Sequence, residues 1–376
     1  MTRQQIYLDY AAATPLDARV LTAMQPYLYQ DFYNPSAIYA AARKVKTELE
    51  EARAKIAHYL GARSSEIVFT AGATEANNLA IHGIMGRYPG SNIVISEIEH
   101  ESVLLPAREY EFREAKVKSD GLIDPHDLEK LIDDNTVLVS IMYANHEIGS
   151  IEPIRGISKI VAKKRLGRSN LPLYLHSDAA QAANYLDLHV SRLGVDIMTI
   201  NGGKIYGPKQ SGALYIKAGI ELKPQILGGG QERGLRSGTE NVAASVGLAT
   251  ALDLTQSMRQ TESFRLKGLQ QQFFELVEHN LPGVVINGSR KYRLPNNVHL
   301  TFPEMDNERL IIQLDELNIL ASAGSACSAS NAEPSHVLRG IGLSKLDIQS
   351  SLRFTMGRDT TQEMIKACVN ELKKLA

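Results

Sequence analysis

Apolar residues recur at steps of three and four over residues 43–60, where Val45, Leu49, Ala52, Ile56 and Tyr59 fall on one face and Gly61 follows. That spacing predicts an amphipathic helix with a glycine stop. Short apolar runs then appear at 67–69, 93–95, 137–142, 173–175, 195–200 and 213–216. Each has the length of a strand, and loop or helical pattern separates it from the next. Such alternation predicts an α/β fold with a mainly parallel sheet covered by helices. Ligands of these sheets sit beyond the carboxyl ends of the strands.

The texture changes after about residue 250. Residues 251–279 read as one long, polar-faced helix, and the rest mixes short strands and helices at 297–301, 308–316, 351–355 and 360–374. This predicts a large α/β domain over 13–250 and a smaller α+β domain made of 1–12 and 251–376, with the first dozen residues the least clearly assigned.

The chain has 376 residues, 44% hydrophobic and 22% charged, as in an ordinary globular protein. Lysine plus arginine (41) against aspartate plus glutamate (42) leaves a net charge of −1, which argues against direct nucleic-acid binding through bulk positive charge. No apolar run is long enough to cross a bilayer, and the start has no signal-peptide core. Two cysteines, Cys327 and Cys368, cannot form a disulfide scaffold, so a reducing cytoplasm is expected. No metal site is expected.

Several candidate groups share one topological position. Asn201-Gly-Gly-Lys-Ile-Tyr-Gly-Pro-Lys209 follows the run 195–200. Its Lys204 reads either as a solvated turn residue or as an amine that condenses with a carbonyl cofactor. Asp178 ends the run beginning at Leu173. It reads as a helix N-cap, as the partner of a protonated ring nitrogen, or as both. Ala71-Gly-Ala-Thr74-Glu75 joins a strand to a helix, a place where backbone N–H groups meet phosphate. His100 follows the run 93–95 and is structural or catalytic. Arg353 lies in a strand pattern and reads as a surface ion pair or as a two-point grip on a carboxylate.

Ten of the eleven residues from Ala321 to Asn331 are alanine, serine, glycine or cysteine. Such a stretch has little with which to anchor itself in a core, which predicts a mobile polar loop with Cys327 exposed as a nucleophile. The alternative is a small residue in a tight packing loop. Cys368, between Ala367 and Val369 in a helical pattern, reads as core.

Together these segments resemble the cysteine desulfurases of the class V aminotransferase superfamily, in the NifS/IscS-like branch. The likeness spans nearly the whole chain. It runs through Tyr7-Leu-Asp-Tyr-Ala-Ala-Ala-Thr-Pro15, Asn34-Pro35, Gly72-Ala-Thr-Glu-Ala-Asn-Asn-Leu-Ala80, Asn145-His-Glu-Ile-Gly149 and His176-Ser-Asp-Ala-Ala-Gln181. It continues through Lys204-Ile-Tyr-Gly-Pro-Lys209, Gly228-Gly-Gly-Gln-Glu-Arg-Gly234, Arg236-Ser-Gly-Thr239, Gly324-Ser-Ala-Cys327 and Glu333-Pro-Ser-His-Val-Leu-Arg339.

The resemblance implies a fold type I enzyme with a seven-stranded sheet, using pyridoxal 5'-phosphate to take sulfur from L-cysteine. Lys204 would hold the cofactor, Asp178 would pair with its ring nitrogen, and His100 would stack on the ring. Gln181 would lie near the ring oxygen, and Thr74 with the backbone of Ala73 would bind phosphate. Thr239 would reach the phosphate of a neighbouring subunit, implying a homodimer. Arg353 and Asn34 would hold the substrate carboxylate, and Cys327 would take the sulfur as a persulfide, leaving alanine. A free thiol has a pKa of about 8.5, so a proton acceptor is expected beside Cys327, with His100 the candidate. The sulfur would pass to an acceptor protein for iron–sulfur cluster assembly or tRNA thiolation. The specific cluster scaffold that docks on a longer tail in some relatives is not carried over.

Three positions, in two segments, depart from the family pattern. The usual serine, any residue and histidine before the lysine are Asn201, Gly202 and Gly203 here, and the usual Asn-Asn-Glu is Asn145-His146-Glu147. Asn201 can still donate to phosphate while Gly203 offers only backbone, and the ring-oxygen contact passes to His146 or is altered. One lost hydrogen bond to a charged group is worth roughly 1.5–3 kcal/mol, about ten- to a hundredfold in affinity. The competing readings are a class V lyase acting on selenocysteine or an aminotransferase, and a degenerate non-catalytic homologue.

Overall fold

The computed structural model describes residues 5–168, 170–324 and 334–375. Its strands in chain order are β1 (Ile6–Tyr7), β2 (Ile67–Thr70), β3 (Asn92–Ser96), β4 (Glu111–Ala115), β5 (Thr136–Ser140) and β6 (Tyr174–Asp178). They continue with β7 (Ile197–Asn201), β8 (Gly212–Ile216), β9 (Val285–Ile286), β10 (Asn297–Thr301), β11 (Ile319–Leu320) and β12 (Ser351–Thr355). Seven form the main sheet in the order β2-β8-β7-β6-β5-β3-β4, with only β8 antiparallel to its neighbours.

Both faces of this sheet are covered, which is why its strands read as unbroken apolar runs. Alternate residues divide between two cores. Ile93, Ile95, Ile197 and Leu214 pack on one side with the helices Ala73–Met85 and Glu101–Ala107. Val94, Met198, Ala213 and Tyr215 pack on the other with the helices Ala40–Leu60 and Ile154–Arg165. The helix Ala40–Leu60 buries Val45, Leu49, Ala52 and Ile56, and stops at Gly61 in the left-handed conformation (φ +61°). Strand β4 escapes the apolar pattern because it lies at the sheet edge, where Glu111, Arg113 and Glu114 face solvent.

The long helix spans Val242–Asn280, so it begins nine residues before the polar-faced stretch that the pattern predicts. Its first turns, from Val242 to Leu252, are buried on most sides and carry no polar stripe to mark them. Beyond it, β12-β10-β9 form an antiparallel sheet, and β1 pairs parallel with β11, bringing the N-terminus against the C-terminal part. Cys368 is fully buried in the helix Gln362–Leu375, as its apolar neighbours predict. Among the described residues no helix is long and apolar enough to cross a membrane.

Candidate active site

The carboxyl ends of β2, β3, β5, β6 and β7 open on one cavity of 260 Å³, which Arg353 of β12 closes from the side. A wider cleft adjoins it, lined by Gly72, Ala73, Thr74, Asn201, Gly203 and Lys204. After β2 the chain turns at Gly72 (φ +142°) into the helix Ala73–Met85, whose first turn forms the wall of that cleft. After β7, Asn201 accepts the Gly203 N–H at 3.2 Å and starts a short 3₁₀ turn that ends on Lys204. The Lys204 ammonium donates to the carbonyls of Ala11 (2.8 Å) and Ala12 (2.6 Å), and the Gln181 amide shares the Ala11 carbonyl at 3.0 Å.

Asp178 is buried, yet its two oxygens are matched by donors. Oδ1 accepts the Ala180 N–H at 2.8 Å, and Oδ2 accepts the Asn77 amide at 2.7 Å. Both contacts fix the orientation of the carboxylate at the cavity wall. The second Asn77 N–H goes to Ser102 Oγ at 2.8 Å, which leaves the Ser102 hydroxyl to donate to His100 Nδ1 at 2.9 Å. The Ser102 N–H also points at His100 Nδ1 (3.1 Å), so the neutral ring carries its proton on Nε2. Burial, then the nearby His146, pushes His100 down to about 4, with Asp178 opposing. His100 is therefore an uncharged ring at physiological pH and a weak base.

Residues 143–152 form a tight excursion between β5 and the helix Ile154–Arg165. The Asn145 side chain accepts the N–H groups of Glu147 (2.8 Å) and Ile148 (3.0 Å). His146 faces the cavity, its ring edge-on to His100 with centroids 5.2 Å apart. At the base of this excursion, Glu152 is buried with one donor, the Ile123 N–H at 3.0 Å.

Burial pushes Glu152 up to about 8, and Asp120 pushes the same way. The folded protein thus keeps a proton that the unfolded chain releases above its ordinary value of 4.5. The unfolded state binds fewer protons in that window, so stability falls as pH rises from 4.5 towards 8 and then levels off. Glu152→Gln is expected to remove that slope and to be more stable than wild type above the window by about 3–5 kcal/mol. Denaturant titrations at both ends of the range check this, and equal slopes in the two proteins would refute it.

The cavity gathers most of the residues singled out in the sequence: Ala73, Thr74, His100, His146, Asp178, Gln181, Asn201, Lys204 and Arg353, with Gly203 in the adjoining cleft. Arg353 is not on the surface. It is 2% exposed and donates to Asp9 Oδ1 at 2.7 Å and to the His146 carbonyl at 3.0 Å. Asn34 is not brought in; it is exposed and accepts the Ser36 N–H at 2.9 Å. Thr239 is exposed and lines a separate cavity of 210 Å³ with Arg236. Cys327 lies outside the described residues.

Local reading misses Asn77, Ser102, Asp9 and Lys209. Asn77 carries a signal, being a polar residue beside Ala76, Leu79 and Ala80 on the buried face of its helix. Lys209 lines the cleft and passes beside Gly203, its Nζ donating to the Thr14 carbonyl.

The sequence profile of the family described as Aminotransferase class-V matches residues 6–368. The chain belongs to the class-V aminotransferase family. Within that family it is similar to "Cysteine desulfurase IscS" of Dictyoglomus turgidum, at 41% identity over 99% of this chain and 95% of that protein. It is also similar to "Cysteine desulfurase IscS 1" of Archaeoglobus fulgidus, at 40% identity over 95% and 93% of the two chains. A solved structure called "NIFS-LIKE PROTEIN" superposes with a TM-score of 0.92 at 30% identity, covering 99% of both chains. The superposition over nearly all of both chains shows that the fold described above, with its mostly parallel seven-stranded sheet, is shared with that structure.

Proposed function

We propose that this chain is a pyridoxal phosphate-dependent cysteine desulfurase, converting L-cysteine to L-alanine and leaving the sulfur as a persulfide on Cys327. The observation that carries this reading is the convergence of an amine (Lys204), a buried, hydrogen-bonded carboxylate (Asp178) and a neutral imidazole (His100) on one cavity. The likeness to proteins named cysteine desulfurases over nearly the full chain supports it.

The residues fit the cofactor. A methyl group built on Gly72 would meet nothing within 4 Å, and one on Gly203 would come no closer than 3.7 Å to any atom, so the cleft keeps room at the helix start for a phosphate. Ala73, Thr74 and Asn201 would hold that phosphate, Asp178 would face the ring nitrogen, His100 would cover the ring, and Gln181 or His146 would meet the ring oxygen. When bound, pyridoxal phosphate supplies an electron sink for charge released at the substrate α-carbon.

The protein's own groups do the rest. Lys204 would hold the cofactor through its amine and would be the base that takes the α-proton of L-cysteine. Asp178, oriented by Asn77 and Ala180, would accept a hydrogen bond from the protonated ring nitrogen. Arg353 binds the substrate carboxylate in competition with Asp9, which occupies its NH2 group at 2.7 Å. His100, too weak a base to store a proton, is held by Ser102 at Nδ1 as a neutral ring that would cover the cofactor. The Cys327 thiolate takes the sulfur atom, so one cysteine and one protein thiol become alanine and one protein persulfide. An acceptor protein, whether a cluster scaffold or a tRNA-thiolation enzyme, would then collect it.

Thr239, exposed and apart from the Lys204 cavity, would serve the phosphate of a second subunit. Exposed Leu28, Tyr29, Phe32 and Ile38 form apolar surface suited to such a homodimer. Sedimentation as a single 41.3 kDa chain would remove that part of the reading.

The deciding experiment is a visible spectrum of the purified protein with pyridoxal phosphate, before and after L-cysteine, with alanine measured in parallel. A yellow protein whose band changes as alanine appears is expected. A protein that stays colourless with added cofactor, or that yields a keto acid in place of alanine, would overturn the reading.

A further inference from the structure

One buried carboxylate lies against Ser335, Gly324 and the cavity-lining His146. Glu147 is 1% exposed, and its two oxygens point to different partners. Oε1 faces His146 Nε2 at 3.6 Å, and His146 lines the Lys204 cavity. Oε2 accepts the Ser335 hydroxyl at 2.7 Å. Gly324 comes so close that a methyl group built on it would lie 3.1 Å from the same Oε2. Residues 324 and 335 flank the cysteine in sequence; Ser335 is hydrogen-bonded to Glu147 Oε2 and Gly324 packs beside the same oxygen.

The surroundings keep this carboxylate in place. The Glu147 N–H is held by Asn145 Oδ1, and its carbonyl accepts the Asn297 amide at 2.8 Å. Burial pushes the Glu147 carboxyl up, but the neighbouring His146 and the Ser335 hydroxyl outweigh it and bring the group down to about 2. Ser335 is itself anchored, since its side chain also accepts the Leu338 N–H at 3.2 Å at the start of the helix His336–Gly340. On the Gly324 side, Ser322 exchanges backbone hydrogen bonds with Arg353, at 2.6 and 3.2 Å. Both flanks are thus registered on the walls of the cavity, and Glu147 is the atom group common to them.

We infer that Glu147 is a positioning residue for sulfur transfer: its carboxylate fixes the chain on both sides of Cys327 relative to the cavity-lining His146. It acts on no reacting atom itself. The inference rests on the desulfurase reading above, with Cys327 as the sulfur-taking thiol.

Its test uses the cofactor-loaded full chain and separates binding from transfer. Three variants are compared with wild type: Glu147→Ala, Ser335→Ala, and Glu147→Gln, which keeps an acceptor for the Ser335 hydroxyl. The measurements are the cofactor spectrum, the spectral change on titrating L-cysteine, and the first-turnover rate of persulfide formation on Cys327, read by alkylation and mass. Losing one hydrogen bond to a charged group should slow transfer about ten- to a hundredfold in Glu147→Ala and Ser335→Ala. The spectrum and the cysteine titration should not move, and Glu147→Gln should recover most of the rate.

Transfer at the wild-type rate in Ser335→Ala and Glu147→Ala would overturn the inference. So would a parallel loss of cysteine binding and transfer, because Glu147 would then support the whole pocket. If Glu147→Ala does not fold, Ser335→Ala with Glu147→Gln decides alone. Failure of the desulfurase reading looks different: wild type itself would show no spectral response to L-cysteine and no persulfide, and the inference would fall with it.

Discussion

Replacing Lys204 with alanine is expected to abolish stable retention of pyridoxal phosphate and to cut alanine formation from L-cysteine by at least about 10²–10⁴-fold, the usual worth of a positioned acid–base group. The lysine has two jobs, attachment and proton transfer, and no other described amine lines the 260 Å³ cavity to replace it. Lys204→Arg sharpens the test. Arginine can keep a cation on the Ala11 and Ala12 carbonyls, where Lys204 now donates at 2.8 and 2.6 Å, but it has no amine that can shed its proton and attack a carbonyl. Both variants should be equally inactive and should lose the cofactor's colour on gel filtration. An arginine variant with a tenth or more of wild-type turnover would show that Lys204 acts only through its charge.

Asp178→Asn is the second large effect. The carboxylate is buried and accepts hydrogen bonds from both Asn77 and Ala180. A neutral amide of the same shape removes the charge that would hold a proton on the cofactor ring nitrogen. It also turns one –NH₂ towards a neighbour that is itself a donor, either the Asn77 amide or the Ala180 N–H. Removal of one preorganised electrostatic partner costs about 10²–10³-fold in turnover. The expected result is a protein that still binds cofactor covalently and still responds to L-cysteine, but releases alanine that much more slowly. Turnover within threefold of wild type would exclude Asp178 from the role.

Both residues are legible in the chain itself because of how parallel sheets are built. A strand buried on both faces is an unbroken apolar run, and whatever polar residue ends it must lie at the rim where ligands bind. Asp178, His100 and Lys204 each follow such a run. Strand β4 lacks the signal because an edge strand can carry Glu111, a half-buried Glu114 and a half-buried Arg113 that pairs with Glu111 and Asp133. The apolar pattern starts the long helix too late because its first turns are buried on most sides and show no face.

Local order in the chain thus determined the α/β class, the sheet strands other than β4, and the rim positions of the amine, the carboxylate and the imidazole. What each group does there was decided by contacts between distant segments. Arg353 became a buried cavity residue because Asp9, 344 positions away, pairs with it. His100 became a weak, neutral base because burial and His146 act on it together, while Asn77 and Ser102 settle which nitrogen holds its proton. Thr239 and Asn34, equally legible as motifs, were placed away from the cavity. Charge state and reach depend on dielectric and on neighbours through space, and neither follows from the spacing of apolar residues along the chain.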